Sequence, residues 1–119
     1  MPEDGRAVDP AVQALVQAVH EELRTEFVRS IPARVAALER IAQFVLDSPP
    51  DARAIHDLHA EAHRFAGTTA VYGMLQTSAV VKRFDQLLLE RMQAGIVTLC
   101  PKLLRAFLDE LNAAVAAES

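Results

Sequence analysis

The 119-residue chain has one cysteine, no tryptophan and no long apolar run. The lone Cys100 cannot form an internal disulfide, which indicates a reducing compartment, and we expect it to be inert packing. A membrane-spanning helix needs about 20 apolar residues, and the N-terminal residues lack the basic-then-apolar order of a signal peptide. These absences predict a cytoplasmic protein that does not bind a membrane.

Basic clusters and glycine-rich loops are also missing. The net charge is −4, whereas surfaces that bind nucleic acids collect lysine and arginine against phosphates. Four glycines are scattered at positions 5, 67, 73 and 95, without the strand, loop and helix that hold a nucleotide. We therefore expect no nucleic-acid partner and no cofactor.

Apolar residues make up 51% of the chain but aromatic residues only 5%, a composition that favours helix. The length fits one domain. We expect a flexible tail at residues 1–9 and a single helical domain at residues 10–119. The predicted fold class is all-α, an up-down-up-down four-helix bundle with an additional N-terminal helix.

Prolines, glycines and capping residues set the predicted helix ends. Asp9 can cap the first helix, and Pro32 should kink the path or begin a second helix near Ser30. The second helix ends before Pro49, and Asp51 caps the third. Gly73 and Gly95 end the third and fourth helices, and Pro101 lies near the start of the last. The apolar residues of the first helix are Val12, Leu15, Val16, Val19 and Leu23.

His63 lies on the third predicted helix, off its apolar stripe. At about 100° per residue, one narrow face collects the core residues of this helix. They are Ile55, Leu58, Ala62, Phe65, Thr69 and Tyr72. His63 projects away from them, beside small residues such as Ala66 and Gly67. We therefore expect an exposed imidazole that another protein surface can approach closely.

Residues 62–73 (AHRFAGTTAVYG) resemble the histidine-containing phosphotransfer (HPt) domains of two-component phosphorelays, whose pattern is roughly A-H-x-L-K-G-S-A-x-x-x-G. The matching residues are His63, Phe65, Gly67, Thr68 and Gly73. Ala66 departs from the pattern, because the family usually has lysine there. Residues 27–38 and 81–85 also look like family segments, so the resemblance extends over most of the chain.

The resemblance implies a phosphohistidine carrier and not an enzyme. His63 would accept a phosphoryl group from the aspartate of a receiver domain or from a histidine kinase. It would then donate this group to the aspartate of another receiver domain. The chain has no acidic cluster for Mg²⁺ near His63, so the receiver would bring the metal. We expect a monomer.

The residues expected around the phosphoryl group are Arg64, Ala66, Gly67, Arg83 and Asp85. Ala66, Gly67 and Asp85 occupy positions of the family pattern, whereas Arg64 and Arg83 are nearby cations. If the helices fold back about Gly73, Arg83 is level with His63. Arg64, Lys82 or Arg83 could then supply the cation that Ala66 does not, or could be ordinary solvated charges. Asp85 could bond near the imidazole or face water.

Two alternatives remain open at the level of sequence. One is a degenerate HPt-fold module that docks receivers or kinases without phosphotransfer, an interpretation that rests on Ala66. The other is a metal-binding bundle, because His59 and His63 stand four residues apart on one helical face. Without a metal, His56 and His59 would be exposed polar residues.

Overall fold

A computed structural model of the protein describes residues 9–119. Within this range it contains four helices and no strand. They are α1 (Pro10–Asp47), α2 (Ala52–Val71), α3 (Leu75–Gln93) and α4 (Pro101–Glu118). The predicted all-α, four-helix class is confirmed. The predicted tail lies outside the described residues except for Asp9, whose carboxylate accepts a hydrogen bond from the Ala11 N–H at 2.8 Å and so caps α1.

The additional N-terminal helix is not a separate element. The second helix predicted to begin near Ser30 is wrong, because α1 continues through Pro32 to Asp47. An interior proline costs about 3 kcal/mol. Ile31 and Val35 are buried on either side of it, and burying one such side chain contributes about 1.5–3 kcal/mol. Together these burials outweigh the local cost.

The chain forms two compact units, one ending at Ile31 and the other beginning at Pro32. In the first of these units, the apolar residues from Val12 to Leu23 are 46–65% exposed, whereas Phe27 and Ile31 are buried. The periodicity of the early residues therefore predicts helix correctly but adds little buried surface. No helix of residues 9–119 combines the length and the apolarity required to span a membrane.

The ends of α2, α3 and α4 follow the predicted signals. The Asp51 carboxylate accepts the Arg53 N–H at 2.9 Å and caps α2. Gly73 and Gly95 adopt a φ of 74°, the left-handed conformation that follows a helix C-terminus. Pro101 is the first residue of α4.

Long-range bonds show that α3 runs antiparallel to both of its neighbours. Near its start, Ser78 Oγ donates to the Ala66 carbonyl of α2 at 3.1 Å, and farther along Asp85 meets His63. Against α4, Thr77 near the start of α3 contacts Glu118 at the end of α4, and farther along α3 the rings of Phe84 and Phe107 stack with centroids 3.9 Å apart. α3 is therefore the element that connects the His63 helix to the last helix.

The apolar face of α2 is the one that the sequence predicts. Ile55, Leu58 and Phe65 are each no more than 1% exposed, and Thr69 is fully buried. Only Tyr72, at the end of the predicted stripe, is half-buried. This packing fixes the rotation of α2 and turns His63 outward.

Cys100 does not pack inertly. It is the exposed N-cap residue of α4. Favourable interaction with the backbone N–H groups of Leu103, and then of Lys102, lowers the pKa of the Cys100 thiol, although no side-chain cap hydrogen bond is formed. The thiol is therefore accessible and more easily deprotonated than an ordinary cysteine.

Glu118 caps α3 from the end of α4. Met74, the N-cap residue of α3, provides no side-chain bond. Instead the Glu118 carboxylate accepts the Gln76 N–H at 2.9 Å, the Thr77 N–H at 2.6 Å and the Thr77 hydroxyl at 2.7 Å. A negative charge at a helix N-terminus satisfies free N–H groups and interacts favourably with the helix dipole.

We expect Glu118→Ala to lower the free energy of unfolding by about 1–2 kcal/mol, the usual cost of losing a helix cap. Glu110→Ala is the matched control on the same helix, because the Glu110–Arg83 pair is exposed and such pairs contribute about 0–1 kcal/mol. Urea unfolding of both variants makes the comparison. Equal losses would mean that the cap adds nothing beyond an ordinary surface ion pair.

Candidate functional site

The side chain of His63 is 72% exposed on α2. Two residues in its immediate neighbourhood, Ala62 and Phe65, are buried, so the backbone beneath the ring is anchored in the core. The exposure expected from the sequence is confirmed. His63 is therefore an accessible imidazole on a fixed support.

Asp85 of α3 contacts the ring of His63. Its Oδ2 atom lies 2.9 Å from Nδ1 of His63, a hydrogen-bonding distance. Since a carboxylate only accepts hydrogen bonds, this contact favours the tautomer with the proton on Nδ1. The Nε2 atom then keeps its lone pair, and no bond from residues 9–119 occupies it. One ring nitrogen is thus held while the other is open to a reactant.

His59 approaches the other oxygen of the same carboxylate. Its Nε2 atom lies 2.6 Å from Asp85 Oδ1, yet Oδ1 is buried and has no well-aligned hydrogen-bond donor among the described residues. The short contact is off the ideal bonding direction, so it is an electrostatic contact and not a formed hydrogen bond. The rings of His59 and His63 are stacked, with centroids 5.9 Å apart.

Ala66 and Gly67 lie in different surroundings. Ala66 is buried, and its carbonyl accepts hydrogen bonds from Ser78 and Thr69. The expectation that it lies on the exposed face is wrong, because α3 covers that side of α2. Gly67 is exposed, and a Cβ atom added to it would meet nothing within 4 Å. Open space beside His63 therefore lies at Gly67.

Arg64 and Arg83, the arginines that the sequence suggested for the site, are each paired with a glutamate. Arg64 contacts Glu61 of the same helix at 2.7 Å, and Arg83 contacts Glu110 of α4 at 2.8 Å. The fold-back about Gly73 suggested that Arg83 is level with His63. In the structure Arg83 contacts α4, and Asp85 is the α3 residue that contacts His63.

A shallow groove of about 440 Å³ lies beside His63. Its lining comes from α2, from the end of that helix and from one residue of α1. The lining residues are Arg34, Glu61, His63, Arg64, Gly67, Thr68, Val71 and Tyr72. Val71 is 66% exposed, which gives the groove an apolar end. Arg34 belongs to the family-like segment 27–38, but that resemblance gave it no role beside His63.

Metal binding finds no support in the described part of the chain. No group of three or more His, Cys, Asp or Glu side chains in residues 9–119 could hold a metal ion. His56 is exposed, while His59 and His63 both direct a ring nitrogen at Asp85.

A comparison with protein families gives one assignment for most of the chain. The family model of the Hpt domain matches residues 22–117, a segment that includes His63, Asp85 and the groove. No curated protein matches the chain, and no solved structure matches it.

Proposed function

Because the chain belongs to the Hpt domain family, we propose that it is a phosphorelay intermediate that carries a phosphoryl group on His63. Domains of this family have a phosphotransfer role in two-component signalling and interact with receiver domains or kinases. The observation that carries the proposal is the His63 ring, 72% exposed, with Nδ1 on Asp85 and Nε2 open.

The proposed reaction is an in-line displacement at phosphorus. The lone pair of His63 Nε2 forms a bond to the phosphorus of a receiver acyl phosphate, and the bond from phosphorus to the aspartate oxygen breaks. The aspartate leaves as a carboxylate. The ring gains positive charge, which the Asp85 carboxylate offsets through the proton on Nδ1. The reverse sequence returns the phosphoryl group to an aspartate.

Mg²⁺ for this reaction would come from the partner. Phosphoryl transfer needs cations to neutralise charge on the transferring oxygens. In the described part of this chain Asp85 is already shared between two histidines, so it offers little to a metal. The proposal therefore makes this domain a substrate and carrier for a receiver that binds the ion.

Arg64 directly follows His63 on α2 and lines the groove with it, as Arg34 of α1 does, whereas Arg83 is paired with α4. The Arg64 side chain is 67% exposed, and exposed ion pairs contribute only about 0–1 kcal/mol, so exchanging Glu61 for a phosphoryl group costs little. Arg64 can thus serve where the family usually has lysine and this chain has Ala66.

The groove supports docking of a partner at the Gly67 side of His63. Gly67 has open space above it, and Val71, which also lines the groove, is 66% exposed. A small residue near an exposed apolar residue allows another backbone to come close and to cover apolar surface. A receiver bound there would bring its aspartate towards Nε2.

A docking module without phosphotransfer is the second candidate. Ala66 favours it, because the chain has no lysine at the family position and the alanine is buried against α3.

Phosphoryl transfer from a labelled receiver distinguishes the phosphorelay intermediate from the docking module. A receiver labelled with ³²P on its aspartate should pass acid-labile, base-stable label to this chain under the proposed function. Binding of the receiver without label on this chain would support the docking module.

Asp85→Asn should slow phosphoryl uptake about 10- to 100-fold, because a hydrogen bond to a charged group contributes about 1.5–3 kcal/mol. The amide still has an acceptor oxygen but lacks the charge that offsets the phosphorylated ring. Single-turnover transfer from a labelled receiver measures the rate, and Asp109→Asn, an exposed change on α4, is the control. Equal rates for both variants would remove Asp85 from the proposed reaction.

A further inference from the structure

We propose that His59 is a positioning residue for His63, acting through Asp85; the inference rests on the proposed function of His63. Asp85 lies between the two histidines, with Oδ1 2.6 Å from His59 Nε2 and Oδ2 2.9 Å from His63 Nδ1. His59 thus contacts the one side chain that contacts the acceptor ring.

The short distance indicates which atom carries a proton. A nitrogen lone pair and a carboxylate oxygen repel each other at 2.6 Å, so His59 presents an N–H to Oδ1. This contact is shorter than an ordinary N–H···O hydrogen bond, although its direction is not ideal. It is therefore an attraction that holds the carboxylate from the side opposite His63.

Burial makes this attraction important for the carboxylate. Oδ1 is buried, and no donor in residues 9–119 is aligned with it for a hydrogen bond, so the close contact with His59 Nε2 is the compensation that it has. A buried polar atom that loses its compensation turns towards water or towards another donor. Without His59, the Asp85 side chain would rotate about its Cα–Cβ bond, and Oδ2 would move away from His63 Nδ1.

Exposure separates the roles of the two histidines. His59 is 22% exposed and Asp85 17%, whereas His63 is 72% exposed. A partner can reach the His63 ring while His59 stays behind it. His59 would therefore touch no substrate, and it would set the tautomer of His63 and so the nitrogen that accepts the phosphoryl group.

The test combines NMR with kinetics. Ring ¹⁵N shifts of His63 report which nitrogen carries the proton. In the wild type we expect the Nδ1–H form, and in His59→Leu we expect a mixture of tautomers and phosphoryl uptake about 3- to 10-fold slower at saturating receiver. Receiver affinity should be unchanged. His59→Gln, whose amide can donate to Oδ1, should largely keep both the wild-type tautomer of His63 and the wild-type rate of phosphoryl uptake.

His56→Leu is the matched control, because His56 is exposed on the same helix and has no contact with Asp85. If His59→Leu does not fold, His59→Ala takes its place in both measurements. Wild-type tautomer and rate in a folded His59 variant would overturn the inference. A wild-type protein that accepts no phosphoryl group would overturn the proposed function, whereas the ring shifts would still decide whether His59 positions Asp85.

Discussion

His63→Gln should reduce phosphoryl uptake from a labelled receiver to background while leaving the fold intact. Glutamine has no nucleophile comparable to imidazole, so the covalent step is lost and not merely slowed. The His63 side chain is 72% exposed and contributes little packing, so the free energy of unfolding should change by only about 0.5 kcal/mol. Circular dichroism and urea unfolding check the fold, and single-turnover transfer checks the chemistry.

His56→Gln and His59→Gln are the controls for this prediction. His56 is exposed without a contact to Asp85, and His59 is the positioning residue. We expect label on both variants, at the wild-type rate for His56→Gln. Label retained by His63→Gln and lost from either control would mean that a different histidine is the acceptor.

Gly67→Leu should weaken receiver binding about 100-fold, or about 2.7 kcal/mol, with little loss of stability. No atom lies within 4 Å of a Cβ at this position, so the new side chain meets nothing in its own chain. It would instead occupy the groove beside His63, where a partner must come close. Isothermal titration with a cognate receiver measures the affinity.

Two further variants separate steric blocking from a change in the helix. Gly67→Ala removes a flexible residue from α2 and should raise stability by about 1 kcal/mol. Ala113→Leu makes a comparable enlargement at an exposed position of α4, away from the groove, and should leave binding unchanged. Normal receiver affinity in a folded Gly67→Leu protein would mean that the partner does not dock on this side of His63.

Local signals predicted the helix ends but not the path of α1. Asp51, Gly73, Gly95 and Pro101 determine their ends through one hydrogen bond or one backbone conformation, both of which can be read from residue type. Pro32 is different, because its local cost competes with burial of its neighbours. The local cost of a proline can be predicted from the residue type, whereas the burial of Ile31 and Val35 depends on the tertiary packing.

In the candidate site, too, local features could be predicted from the sequence, whereas features that depend on helix packing could not. His63 could be identified from its motif and its position off the core stripe. On a helix, Ala66 lies about 60° to one side of His63 and Gly67 about 40° to the other. The sequence does not say which side α3 covers, and in the structure it covers Ala66. His59 lies on the same covered side, so its contact with Asp85 could not be predicted from the sequence and is found only in the structure.

Phosphorylation of His63 at Nε2 can be observed by ³¹P NMR of the protein after incubation with a phosphorylated receiver. We expect one acid-labile, base-stable phosphohistidine signal, assigned to Nε2 of His63 and absent from His63→Gln. A signal on Nδ1, a signal that persists in His63→Gln, or no phosphohistidine beside a receiver that binds normally would show that Nε2 of His63 is not the acceptor.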